Sequence, residues 1–408
     1  MGFHQTTLGQ EVDFFNGKVI KPGLDGQYPA YGSNGVIGRS AEWKYSNAIV
    51  IGRVGAYCGS VAYCAKPFWA SDNTIVAKPR NPKGNVRYFY YLLRQLSLNR
   101  YAGGAAQPLV THTVLKQVPT LIADLATQHR IASILSAYDD LIENNTRRIA
   151  ILEEMARRIY EEWFVHFRFP GHEHVRMLAS ELGLIPEGWQ AKRLGEVLEH
   201  HIGGGWGEET ESEEFSVPAY VIRGTDIPDV RVSSLGRSPL RFHKESNFKT
   251  RQIRAGDIVF ETSGGSKDQP VGRSVQVRSG LLRRSTSPII CASFCRLVRA
   301  NAEVMLPELL QLHFEMIYAN REIMKYQTQS TGITNFKFMV FLDKEIVLVP
   351  APQVQRQFEQ AVFPLFSLAD TLGLKNTNLR TTRDLLLPKL ISGELDVSHL
   401  PEPEAMAA

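Results

Sequence analysis

Three short, glycine-flanked stretches hold the side chains best suited to recognition chemistry in this 408-residue sequence. YGSNGVIGR (31–39) offers Ser33, Asn34 and Arg39, and the following turn, GRVGAYCG (52–59), offers Arg53 and Tyr57. SGGSKDQPVGR (263–273) is a polar insertion carrying Lys267 and Arg273. Glycine lets the backbone turn tightly, and turns bring polar side chains to a surface. Hydroxyl, amide and guanidinium groups can then make directional hydrogen bonds, and Lys and Arg can bind anions. For the first stretch a plain turn is the competing reading, and for the third a solvated loop.

Catalytic groups are not found in any recognisable pattern. The Asn/Asp-Pro-Pro-aromatic box of amino methylation does not occur; NPKG at 81 lacks the second proline and the aromatic residue. There is no phosphate loop of the G-x-x-x-x-G-K-[ST] type, so ATP hydrolysis is not expected. GRVGAYCG fits no dinucleotide fingerprint and reads as a tight turn. His200 and His201 precede GGGW without a third ligand at metal spacing, so no metal site is expected. Trp206, after the glycines, is read as core in preference to stacking. Cys58, Cys64, Cys291 and Cys295 match neither a disulfide framework nor a zinc ribbon, and read as unpaired thiols.

The length suits two or three domains. No apolar run is long enough to cross a membrane and the first residues do not read as a secretory signal, so a cytoplasmic protein is expected. A net charge of +4 hides two basic blocks. Residues 1–120 carry 13 Lys/Arg against 5 Asp/Glu, and residues 223–299 carry 15 against 6. Such a distribution suggests two contacts with a polyanion, with two ordinary basic surfaces as the alternative.

These blocks belong to one unit written twice. A long amphipathic helix over about 127–164 carries Ile131, Tyr138, Asn145, Leu152 and Ile159 at heptad spacing, flanked by Leu135, Ile142, Ile149, Ala156 and Trp163. Glu153, Glu154, Arg157, Arg158, Glu161 and Glu162 read as an exposed opposite face. Adding 227 to the heptad positions gives Phe358, Leu365, Leu372, Leu379 and Leu386, all apolar, and places Gln128 on Gln355. TLGQEVDFFNGK from Thr7 echoes RLGEVLEHHIGGG from Arg193 at an offset of 186. Between these landmarks lie strand-like runs at 47–54, 59–65, 73–79, 256–262, 273–278 and 292–298, and short helices at 86–96 and 307–319. The fold expected is α+β: two mixed domains separated by two long helices that form an antiparallel coiled-coil-like pair about a pseudo-twofold axis. Asn145 on the seam would help fix register. Pro364 and Gly373 predict a kink or break in the second helix. The first helix would span about 57 Å at ~1.5 Å per residue, at most roughly 17 base pairs along a duplex.

The sequence resembles the specificity subunits of type I restriction-modification enzymes over almost its whole length. The likeness rests on IPEGWQAKRLGEVL (185–198), on YPAYGSNGVIGRS (28–40) with IGRVGAYCGSV (51–61) and FWASDNTIV (68–76), on the paired QHRIASIL and QRQFEQAV helices, and on TRDLLLPKLISGEL (382–395). It implies target recognition domains at 1–120 and 181–350, with helical segments at 121–180 and 351–408, each domain reading half of a bipartite site in double-stranded DNA. The loops GGAAQPLVT (103–111) and QSTGITNFK (329–337) resemble the family's loop near DNA, adding Gln107, Thr331, Thr334 and Asn335 to the candidates. The resemblance further implies that two methyltransferase subunits dock on the helices and that restriction subunits join them. S-adenosylmethionine, ATP and Mg²⁺ would be held by those partners, with no cofactor in this chain. An adaptor with incidental basic patches, or a stand-alone nuclease, are the competing classes.

Overall fold

The computed structural model describes residues 2–21, 23, 25–104, 107–264, 269–330 and 333–400. Lys267 and Thr331 lie outside the described residues. The chain divides into two compact units, Met1–Ile142 with Leu379–Ala408, and Glu143–Asn378.

The first unit is built on a four-stranded antiparallel sheet in the order Val12–Asn16, Thr74–Pro79, Ala48–Gly52, Val61–Cys64. AIVIG is apolar throughout, and this strand is buried along its whole length, so it sits centrally and covered on both faces. A smaller sheet orders Gly35–Ser40, Tyr28–Gly32 and Trp69–Ala70. Phe3–Thr7 pairs antiparallel with Pro119–Ala123. The helix Val86–Gln95 is capped by Asn85, whose side chain accepts from Tyr88 N at 3.1 Å. It buries Tyr88, Phe89, Tyr91, Leu92 and Leu93 against the sheet residues Ile49, Ile51 and Ile75.

The second unit repeats this order strand for strand. Its four-stranded sheet runs Leu198–Gly203, Cys295–Ala300, Ile258–Glu261, Ser274–Gln276. The smaller sheet is Leu240–His243, Val217–Ile222, Ile289–Cys291, and Gln190–Arg193 pairs with Ile346–Val349. Its core is aromatic: Phe260 stacks on Phe341 at 5.6 Å and meets Phe314, Phe336 and Phe338.

Both sequence offsets recur in hydrogen bonds. Leu8 N donates to Val118 O at 2.9 Å, as Leu194 N donates to Glu345 O at 2.8 Å. Gln128 Oε1 accepts from Asn85 N at 3.2 Å while its amide donates to Ala123 O at 2.8 Å. Gln355 Oε1 accepts from Leu306 N at 3.1 Å while its amide donates to Pro350 O at 3.0 Å. Each glutamine therefore joins the start of a long helix to the loop before the short helix packed on the sheet.

The long helices are Leu125–Tyr160, which passes into a π-turn at Glu161–Val165, and Pro352–Ile391. Their apolar stripes meet within each unit. In the first, Ile131 and Leu135 share a core with Leu387, Leu390 and Ile391, with Leu386 packed beside it, and Arg383 pairs with Asp139 at 2.5 Å. In the second, Ile149 packs with Ala369 and Leu372 beside Leu152, and Phe164 meets Phe358 at 4.9 Å. Ile159 and Leu365 flank the larger core of that unit. Ile142 is buried, and Tyr138 and Leu379 are half-buried. Asn145 donates to Asn376 Oδ1 at 2.9 Å, and both are buried. The pairing of Asn145 with Asn376 and of Phe164 with Phe358 runs antiparallel.

Two expectations about the helices need correction. Pro352–Ile391 is one continuous helix across Pro364 and Gly373, so the break expected there is absent. Pro364 is exposed, where water can satisfy the carbonyl it deprives. Gly373 is a close-approach site: a Cβ there would meet Val232 O at 2.4 Å. Glu153 does not belong to an exposed face, because its side chain is largely buried near Arg278 and Arg231 at 3.7 and 3.9 Å. Burial pushes its carboxyl up, and the arginines oppose that shift. Among the described residues no helix is long and apolar enough to cross a membrane.

Candidate nucleic-acid interface

In the first unit, strand ends gather the polar turns at one place. Tyr28–Gly32 and Gly35–Ser40 form a hairpin whose two-residue turn is Ser33-Asn34, followed by Gly35 at φ +87°. Ser33 Oγ donates to Asn73 O at 2.7 Å and accepts from Val54 N at 3.2 Å, locking this turn to its neighbours. Arg53 N donates to Asn73 O at 2.9 Å, Val110 N donates to Arg53 O at 3.0 Å, and Gly55 N donates to Pro108 O at 3.0 Å. Residues 33–34, 53–57, 73 and 107–110 are thereby one loop cluster. Asn34 and Gln107 are exposed on it and Tyr57 is 52% exposed. Arg39 is not brought there: it lies opposite Pro29, away from the hairpin tip, and its guanidinium donates to the carbonyls of Gly26 and Gln27. His112, beside Arg53 and Lys116, has its pKa pushed down, first by burial and then by those cations.

The second unit carries the matching cluster. Thr262 N donates to Phe294 O at 2.8 Å and Phe336 N donates to Thr262 O at 2.9 Å, repeating the bonds of Arg53. Ser263–Gly264 pairs with Ile333–Phe336, which pairs with Gln327–Ser330. Thr334 is half-buried on this strand; Asn335 is exposed, and its Oδ1 accepts from Ser263 Oγ at 2.7 Å. Arg273 is held by Glu261, with Nε–Oε2 at 2.9 Å and Nη2–Oε1 at 2.5 Å, and only 18% of its side chain is exposed.

The structure also changes the charge picture. Arginines in the second basic block find carboxylates: Arg223 with Asp226, Arg241 with Glu209, Arg273 with Glu261, Arg299 with Asp257, and Arg231 with Glu315. Asp226, Asp257 and Glu261 are already in the count for this block, whereas Glu209 and Glu315 lie outside it, so a running count of charge missed those two pairs. In residues 1–120, Lys18, Lys21, Lys44, Lys66, Lys78, Lys83 and Lys116 make no ion pair among the described residues.

Other residues at the second cluster escaped the sequence reading. Trp206 is 41% exposed, not core, with the Arg241 guanidinium 4.6 Å from its ring centroid. Phe294, inside a strand-like run, is 61% exposed because it stands in the turn before Cys295–Ala300. Together with Arg223, Glu261, Ser263 and Arg273 they line a cavity of about 690 Å³. The glycine triplet before Trp206 was the available signal: a Cβ at Gly204 would strike Ala292 O at 2.1 Å, so the backbone passes too close for a side chain. Among the described residues no group of His, Cys, Asp and Glu could hold a metal ion.

Residues 10–154 match the type I restriction modification DNA specificity domain. The chain is 29% identical over 337 residues to the specificity subunit of the type I restriction enzyme MjaIX of Methanocaldococcus jannaschii, covering 78% of this chain and 72% of that one. It is 23% identical over 337 residues, 71% of each chain, to the HindI specificity subunit of Haemophilus influenzae. A match to the EcoprrI specificity subunit of Escherichia coli is 30% identical but spans 32% of each chain. The crystal structure of a type I restriction-modification S subunit from M. genitalium shares the fold, with a TM-score of 0.56 at 17% identity over 96% of both chains. By its domain match, its relatives and its doubled fold, the chain is similar to the specificity subunits of type I restriction-modification systems.

Proposed function

We propose that this chain is the non-catalytic DNA-reading subunit of a type I restriction-modification complex, each unit contributing one reader of a bipartite site. The observation that carries this reading is the recurrence of the loop cluster: the same backbone bonds through Arg53 and Thr262 present polar turns at the end of two sheets of identical strand order. Exposed lysines of the first unit suit phosphate contact, which supplies affinity without sequence information, while Asn34, Tyr57, Gln107 and Asn335 suit base edges. Residues 1–120 and 181–350 serve as readers, with 121–180 and 351–408 as the helical segments. The two helices are continuous rods of 36 and 40 residues, and we assign to them the gap between half-sites and the docking of two methyltransferase subunits. Methylation of adenine with S-adenosylmethionine, and ATP- and Mg²⁺-dependent restriction, belong to the partner subunits, in the cytoplasm where the DNA lies.

The test is duplex binding by the chain assembled with its methyltransferase. Binding that is sequence-selective at moderate salt and falls steeply as salt rises supports the reading. Assembly without selective binding would instead make the chain an adaptor.

A further inference from the structure

The cavity of the second unit has a chemistry that duplex edge-reading does not call for. We infer that it receives a single unstacked nucleobase of the second half-site; this rests on the DNA-reading role proposed above. Trp206, with the Arg241 guanidinium over its ring, and Phe294 present aromatic surface at its wall, 41% and 61% exposed. Aromatic faces bind base faces, and paired, stacked bases have none to offer, so such walls suit an extruded base. The volume, about 690 Å³, lies within the usual range for small-ligand pockets and accommodates a nucleoside.

The polar lining points the same way. Arg223 is bound to Asp226 through Nε and Nη2, each at 2.8 Å, and Arg273 is bound to Glu261, so the cavity offers paired charges. A phosphate would demand uncompensated cations, whereas a neutral ring edged with donors and acceptors fits fixed carboxylate and guanidinium groups.

Among the described residues, the positions of the first unit that match this lining carry different groups. Gly52 N donates to Ser60 O at 2.9 Å as Glu261 N donates to Arg273 O at 2.8 Å, so Gly52 and Ser60 stand where the second unit has its ion pair. Lys18 N donates to Ala70 O as Gly205 N donates to Cys291 O, which sets Val19 at the place of Trp206; Asn73 stands at that of Phe294. Neither of these two positions is aromatic in the first unit, so the additional unstacked base belongs to the second half-site.

The experiment uses the chain bound to its methyltransferase subunits and a duplex carrying the complex's own site, with 2-aminopurine placed in turn at each position of both half-sites. One second-half-site position besides the methylated adenine should brighten several-fold on binding, as unstacking releases quenching. A mismatch opposite that base should tighten binding about tenfold, since unpairing is then cheaper. Trp206→Ala and Phe294→Ala should abolish the signal, and Trp206→Phe should keep it. If the duplex is bound selectively and only the methylated adenine brightens, or if Trp206→Ala leaves the extra signal intact, the inference is overturned alone. Absence of any selective binding overturns the DNA-reading role with it.

Discussion

Replacing Gln128 or Gln355 by methionine tests whether the two units are joined to their helices by the same device. Gln128, 4% exposed, accepts one backbone N–H and donates to one carbonyl. Methionine keeps the length and removes both bonds, leaving Asn85 N and Ala123 O without that partner. Losing a buried hydrogen bond costs about 1 kcal/mol, and stranding a buried backbone group adds about 1–3 kcal/mol. Gln128→Met should therefore destabilise its unit by about 2–4 kcal/mol. Gln355 makes the equivalent bonds and a further one to Val304 O at 3.0 Å, so Gln355→Met should cost its own unit about 1 kcal/mol more. Urea titration followed by hydrogen exchange, resolved by peptide, separates the units: protection should fall around 85–95 and 119–135 in the first variant, and around 304–319 and 346–362 in the second. A change under about 0.5 kcal/mol in either variant, below the range for a buried bond, would refute the equivalence.

Further outcomes follow from the same geometry. Asn34→Ala with Gln107→Ala should cost about 1–3 kcal/mol of discrimination at one half-site in a binding assay, with the salt dependence unchanged because neither group is charged. Glu345 accepts from Tyr326 OH at 2.7 Å, His313 Nε2 at 3.2 Å and Lys325 Nζ at 3.0 Å. Burial alone would raise its pKa, but these donors outweigh burial and hold it at about 2, down from 4.5. A depressed carboxylate stabilises above its unfolded value and loses that contribution as pH falls, so stability should drop between about pH 4.5 and 2. Glu345→Gln should remove that pH dependence and cost on the order of 2 kcal/mol near neutrality, with Lys325 discounted for its exposure; an unchanged acid titration of unfolding would count against this. Deleting one heptad from both long helices removes ~10 Å, so the gap between half-sites should shorten by about 3 base pairs or binding should fail. Selection from a library of gap lengths reads this out, and an unchanged gap contradicts the ruler.

Periodicity made the long helices legible, because a stripe recurring from Ile131 to Ile159 and from Phe358 to Leu386 can be buried only against another apolar surface. The repeat was legible for a related reason: the same joint requires the same residue, and Gln128 and Gln355 had to stand at one offset to make the same bonds. Glu153 was misread because alternating charges along a helix look solvated unless one knows that Arg231 and Arg278 lie over them. The surroundings of Arg273 were hidden likewise, since Glu261 faces it across neighbouring strands twelve residues away in sequence. The cavity was least visible of all. Its walls come from turns near 206, 223, 263 and 294, and neither a motif nor a period links such distant positions.

Mapping methylated adenines across the DNA of cells that carry this chain and its methyltransferase, before and after residues 1–120 are replaced by the first domain of a relative, tests the central claim most directly. The account predicts two short defined segments separated by a gap of fixed length and free sequence, with the exchange rewriting one segment and leaving the other and the gap intact. One continuous motif, or a change in both segments, would contradict two independent readers on a common pair of helices.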